Sequence, residues 1–96
     1  MSSQISSDVI DHPEKSRFEL AVADDVAVAY YRLDGDRMTL THTEVPERLS
    51  GQGIGSRLAK GVFDHLKGSG RKAVAECPFM AGYASRHPEY AALLDG

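Results

Sequence analysis

The chain has 96 residues, enough for one domain with a single modest core and too few for two. Its 42% hydrophobic and 26% charged content is ordinary for a soluble globular protein, and a net charge of -3 argues against a nucleic-acid binder, which would carry a basic face. No apolar run reaches the length of a membrane span, no basic-then-apolar leader opens the chain, and the single cysteine, Cys77, cannot form an internal disulfide, so a cytoplasmic protein without a membrane partner is expected.

Residues 1–12 carry Ser2, Ser3, Ser6 and Ser7 with few apolar anchors and read as a flexible tail, leaving residues 13–96 as a single domain. After Pro13 the apolar period is two: Phe18, Leu20 and Val22 alternate with Glu19, Ala21 and Ala23, the pattern of a half-buried strand. Asp24-Asp25 reads as a tight turn. Val26 to Leu33, rich in valine and tyrosine, reads as a second strand closed by Asp34-Gly35-Asp36. Arg37 to Val45 forms a third, and two short turns joining three strands predict an antiparallel meander.

Pro46 ends the alternation, and the period becomes helical. Ile54, Leu58, Val62 and Leu66 recur every fourth residue with Ala59 and Phe63 beside them, and Gly68-Ser69-Gly70 stops the helix. Lys72 to Glu76 reads as a fourth strand which, after a helical crossover, lies parallel to the third. Pro78 opens a second helix to about His87, and Pro88 opens a short last one containing Tyr90, Leu93 and Leu94. The fold class is therefore α+β, with mixed elements in the order β-β-β-α-β-α-α.

The segment Ser50-Gly51-Gln52-Gly53-Ile54-Gly55 holds three glycines at alternate positions and runs directly into a helix. Unpaired amides and the positive end of the macrodipole make such a junction a cradle for phosphate. No Gly-Lys-Ser/Thr follows, which excludes a nucleotide triphosphatase. The dinucleotide fingerprint needs glycine where Ser56 stands, and three antiparallel strands before the loop do not fit a Rossmann unit. The remaining structural alternative is that the glycines only allow a sharp strand-to-helix corner.

His42-Thr43-Glu44-Val45-Pro46, then Gly51-Gln52-Gly53-Ile54-Gly55-Ser56-Arg57-Leu58, Cys77-Pro78-Phe79 and Arg86-His87-Pro88-Glu89-Tyr90 resemble the small GNAT-like (YjdJ-type) acetyltransferases over residues 14 to 94. The resemblance implies a minimal GNAT fold and acetyl-CoA as cosubstrate. The amides of Gln52 to Ser56 would hold the pyrophosphate, and the pantetheine arm would lie between the third and fourth strands. It places Val45, Gly51, Gln52, Gly53, Ile54, Gly55, Ser56 and Arg57 at the coenzyme, with Arg86 and His87 able to reach a phosphate. Ser50 departs from the family pattern, which begins its loop with arginine or glutamine, and Arg48 offers a replacement cation. The helices and final strand pair that shape the acceptor site in longer members have no counterpart.

Acyl transfer to an amine needs a base for the ammonium proton, donors for the oxyanion and an acid for the leaving thiolate. Strict alternation from Met38 and Leu40 continues the same face as His42 and Glu44, two candidate bases at the loop end of the strand, where a solvated strand end is the plain alternative. Thr43, on the opposite face, reads as structural. Cys77 sits where strand gives way to helix, a position that makes a thiol more nucleophilic, although most lone cysteines are simply buried. In the resembled subfamily this cysteine is the proposed catalytic residue, so an acetyl-cysteine intermediate is one route and direct attack the other. Tyr83 is the candidate acid for direct transfer, with Tyr90 as alternative, and both also suit packing. No residue set has metal-ligand spacing, so no metal is expected. The expected function is amine acetylation of a small amine, a protein lysine or an N-terminus, by a monomer or homodimer; the alternative is a non-catalytic acyl-CoA-binding or regulatory module.

Overall fold

The computed structural model describes residues 8–49 and 51–95. Its strands are β1 (Val9–His12), β2 (Arg17–Val22), β3 (Asp25–Asp34), β4 (Arg37–Glu44) and β5 (Lys72–Ala75), and its helices α1 (Ile54–Ser69), α2 (Pro78–Ser85) and α3 (Pro88–Ala91). They form one five-stranded sheet in chain order, antiparallel from β1 to β4, with β5 parallel to β4 across the α1 crossover.

The meander, the crossover and the helices follow the sequence reading, with one strand more. Val9–His12, read as the end of a flexible tail, is an edge strand paired with Arg17–Leu20. One inward apolar residue, Val9, was too weak a signal to see in four residues, yet it is buried beside Leu20. The strand is also held by polar contacts no local pattern shows. The Tyr31 hydroxyl donates to the Asp11 carboxylate at 2.5 Å, and the His65 ring donates from Nε2 to the Val9 carbonyl at 3.0 Å. The serines of residues 1–7 lie outside the described residues. The expected turn at Asp24-Asp25 falls one residue earlier, at Ala23-Asp24, where Ala23 takes a left-handed φ of 54° and Asp25 already pairs with Val22.

Every apolar position expected along α1 is buried: Ile54, Leu58, Ala59, Val62, Phe63 and Leu66. They pack on the face of the sheet formed by Phe18, Leu20, Ala27, Ala29, Tyr31, Met38 and Leu40. Met80 and Tyr83 of α2 and Tyr90 of α3 join the same core, so helices lie together on this face. The opposite face carries Arg17, Glu19, Tyr30 and Arg32.

Candidate functional site

Position 41 decides the geometry of the site. Up to Leu40, β4 pairs regularly with β3: Met38 opposite Leu33 and Leu40 opposite Tyr31. The next pair is His42 with Tyr30, so Thr41 is an extra residue in β4, a β-bulge. Directly paired residues share a sheet face. The register therefore puts His42, opposite Tyr30, and Glu44, opposite Val28, on the open face, and Thr43, opposite Ala29, on the helix face. This corrects the expectation that His42 and Glu44 continue the face of Met38 and Leu40. Side chains alternate with period two, so one extra residue inverts everything after it.

Two consequences follow. Thr43 meets Cys77, with 3.3 Å between Oγ1 and Sγ. His42 and Glu44 pair with each other on the far face, the ring N–H donating from Nε2 to the carboxylate at 3.1 Å, and the imidazole stacks on Tyr30. Both side chains are about 60% exposed, so they face solvent.

The β4–β5 ladder is short. It ends at Leu40–Ala75, four residues before β4 itself ends, and the amides of Glu76 and Cys77 both donate to the Leu40 carbonyl at 3.0 Å. Beyond that bifurcated bond the ladder pairing stops. Cys77 then caps α2, its carbonyl accepting from the Ala81 amide, while its side chain is 6% exposed. The thiol thus sits where the β4–β5 pairing ends and α2 begins.

The glycine loop lies at the start of α1. Gly51 and Gly53 adopt φ of 81° and 74°, left-handed values that favour glycine. Gly55 has a different reason: an added Cβ would come within 2.9 Å of the Phe79 ring on α2. Each glycine therefore has a structural role, so their number alone does not argue for phosphate. The free amides do. The α1 N-cap, Gly53, provides no side-chain cap, and among the described residues the N–H groups of Ile54, Gly55 and Ser56 have no partner. Gln52 folds back, its side-chain amide donating to the Arg48 carbonyl at 3.2 Å. Val45 packs against the core beside the end of β4. Ser50 lies outside the described residues.

The expected cations differ in availability. Arg48 is paired with the half-buried Asp25 at 3.0 Å, and Arg57 with Asp8 at 3.1 Å across an exposed contact. Arg86 has no ion pair among the described residues, and its guanidinium lies back along α2, where a Cβ on Gly82 would be 3.8 Å from it. His87 is a packing residue: its ring lies 4.1 Å from that of Tyr83, and its Nδ1–H donates to the Tyr83 carbonyl at 2.8 Å.

Tyr83 belongs to an aromatic cluster with Phe63, His87 and Tyr90, between α1, α2 and α3. Burial raises its pKa, and among the described residues no hydrogen bond joins its hydroxyl to Cys77. Tyr90 is committed elsewhere, donating to Asp64 at 2.6 Å. Burial and that bond push its pKa well up, away from the range of a working acid. Asp64 is pulled the other way: burial would raise its pKa, but hydrogen bonds from Lys60 and Tyr90 outweigh it and hold the carboxylate below its ordinary value. Thr43 is the site residue the sequence reading missed. Only the bulge reveals it, and no residue type at position 41 announces one.

Comparison with known proteins agrees with this architecture. The family model described as GCN5-related N-acetyl-transferase matches residues 17–93. Protein NATD1 of Gallus gallus is 34% identical over 83 residues, 82% of this chain and 76% of that protein. NATD1 of Xenopus tropicalis is 33% identical over 87 residues, covering 86% and 80% of the two chains. The NMR solution structure of a GCN5-like protein from Staphylococcus aureus superposes with a TM-score of 0.70 at 25% identity, over 92% of this chain and 87% of the other. With a meander, crossover helix and parallel β5 in place, and a family match across nearly all the described residues, the chain belongs to the GCN5-related N-acetyl-transferases.

Proposed function

We propose that the protein transfers an acetyl group from acetyl-CoA to an amine, with Cys77 as the intermediate acceptor. The observation that carries this reading is the end of the β4–β5 pairing at Leu40–Ala75, with the Cys77 sulfur just beyond it at the start of α2. The free amides of Ile54, Gly55 and Ser56 suit the pyrophosphate of the coenzyme, and Arg86, free of ion pairs among the described residues, suits an outer phosphate. Gly51, Gln52, Gly53 and Val45 shape the path between them.

In the first step Cys77 Sγ attacks the acetyl carbonyl. The new bond is the Cys77 thioester, the bond broken is that between carbonyl and coenzyme sulfur, and the thiol proton leaves with that sulfur. In the second step a neutral amine attacks the thioester. The amide forms, the carbon–Sγ bond breaks, and one amine proton returns to Sγ. The amine enters as an ammonium ion, and the paired His42 and Glu44 on the open face take its other proton. The amine loses that proton at the open face before it reaches the thioester on the helix face. The face around Tyr30, which no helix covers among the described residues, leaves room for a large acceptor such as a protein lysine or N-terminus. A reaction run on a free thiol belongs in a reducing compartment such as the cytoplasm.

Calorimetry with acetyl-CoA and CoA tests binding, and mass spectrometry after incubation with acetyl-CoA tests the covalent step. The expected result is binding and an acetyl adduct that disappears in Cys77→Ala. Full activity in Cys77→Ala would replace the covalent route by direct attack, with Tyr83 as the remaining candidate acid. Binding without turnover across amines and lysine peptides would leave a coenzyme-binding module.

A further inference from the structure

We infer that Thr43 is a positioning residue for the Cys77 sulfur, a role that rests on the covalent reading above. Period-two alternation along β4 would have turned its side chain away from the helices, but the bulge at Thr41 turns it toward them, in the row that runs Asp11, Phe18, Ala29, Thr43 across four strands. There Oγ1 stands 3.3 Å from Sγ. The other polar groups of Cys77 are already engaged, its amide with the Leu40 carbonyl and its carbonyl with the Ala81 amide. Thr43 is thus the hydroxyl that meets the sulfur among the described residues.

The chemistry of the pair suits a reacting thiol. A threonine hydroxyl both donates and accepts, so it can accept from the thiol and donate to the thiolate without losing its own proton. Its β-branched side chain has few rotamers, which fixes the direction of that hydrogen bond. A charged sulfur 6% exposed to solvent otherwise has little water to stabilise it. Thr43 therefore fixes the direction of Sγ and supports the charge that develops when its proton leaves, while remaining chemically unchanged itself.

The test uses the full chain and needs no acetyl-CoA. The rate of Cys77 alkylation by iodoacetamide is measured across pH in the wild type, in Thr43→Val, which keeps the shape but removes the hydroxyl, and in Thr43→Ser, which keeps the hydroxyl. Thr43→Ala provides a second hydroxyl-free variant should valine disturb folding, and thermal melts verify each. The expected result is alkylation slowed about tenfold at neutral pH in Thr43→Val and Thr43→Ala, the size of effect expected from losing a hydrogen bond to a charged group, with Thr43→Ser close to wild type. Wild-type alkylation in both hydroxyl-free variants would overturn the proposal, as would a serine variant as slow as they are. Acetyl transfer is then assayed on the same proteins. Slowed alkylation with undiminished transfer would reject Cys77 as acetyl carrier while keeping the Thr43–Cys77 contact; normal alkylation rejects the contact alone.

Discussion

The two halves of β4 are built for different purposes. Arg37–Leu40 is framework: it pairs with β3 on one side and β5 on the other, and Met38 and Leu40 are buried in the core on the helix face. His42–Glu44 keeps its pairing with β3 but has lost β5, and it presents polar groups to both faces. One inserted residue, Thr41, separates them. A sheet can thus turn a polar side chain toward a thiol without a special loop, because a bulge re-aims the side chains beyond it.

The sharpest break in that comparison concerns stability. Leu40→Ala empties a fully enclosed site and is expected to cost about 2–5 kcal/mol in urea unfolding, whereas Glu44→Ala at the exposed end should change stability by less than about 0.5 kcal/mol. Equal effects at the two positions would dissolve the distinction between framework and site. A second measurement addresses the faces. Thr43→Cys should form a disulfide with Cys77 under mild oxidation, seen as loss of both free thiols, while Glu44→Cys should stay reduced and react with maleimide. A disulfide from position 44 would mean that the bulge does not invert the strand. The smallest effect is kinetic: Glu44→Gln should slow acetyl transfer to an amine about tenfold, less than the roughly hundredfold minimum of a buried general base because the side chain is exposed, and leave formation of the Cys77 adduct unchanged. An equal loss in both steps would move His42 and Glu44 out of the acceptor role.

Much of the scaffold was legible because it is repeated. The α1 stripe has six apolar residues at helical spacing, all buried, and β2 alternates as written, with Phe18 and Leu20 inward. Pro78 and Pro88 open their helices where expected. β1 escaped because four residues with one inward valine carry no period, and its anchors, Tyr31 and His65, lie far along the chain. The glycine loop was legible as a junction, yet the reasons for its glycines differ: Gly53 serves a left-handed backbone, whereas Gly55 makes room for a ring twenty-four residues further on. His87 is held by the Tyr83 ring and carbonyl, a contact set by helix packing that the sequence does not display.

By itself, then, the sequence determined the elements other than β1, their order and the amide-rich start of α1, because period, proline and glycine act within a few residues of one another. Tertiary structure decided which groups meet. The register shift at Thr41 arises where β4 must satisfy β3 while leaving β5, a requirement set by three segments at once. That shift brought Thr43 to Cys77, sent His42 and Glu44 to the open face, and so divided the candidate site between the two sides of the sheet.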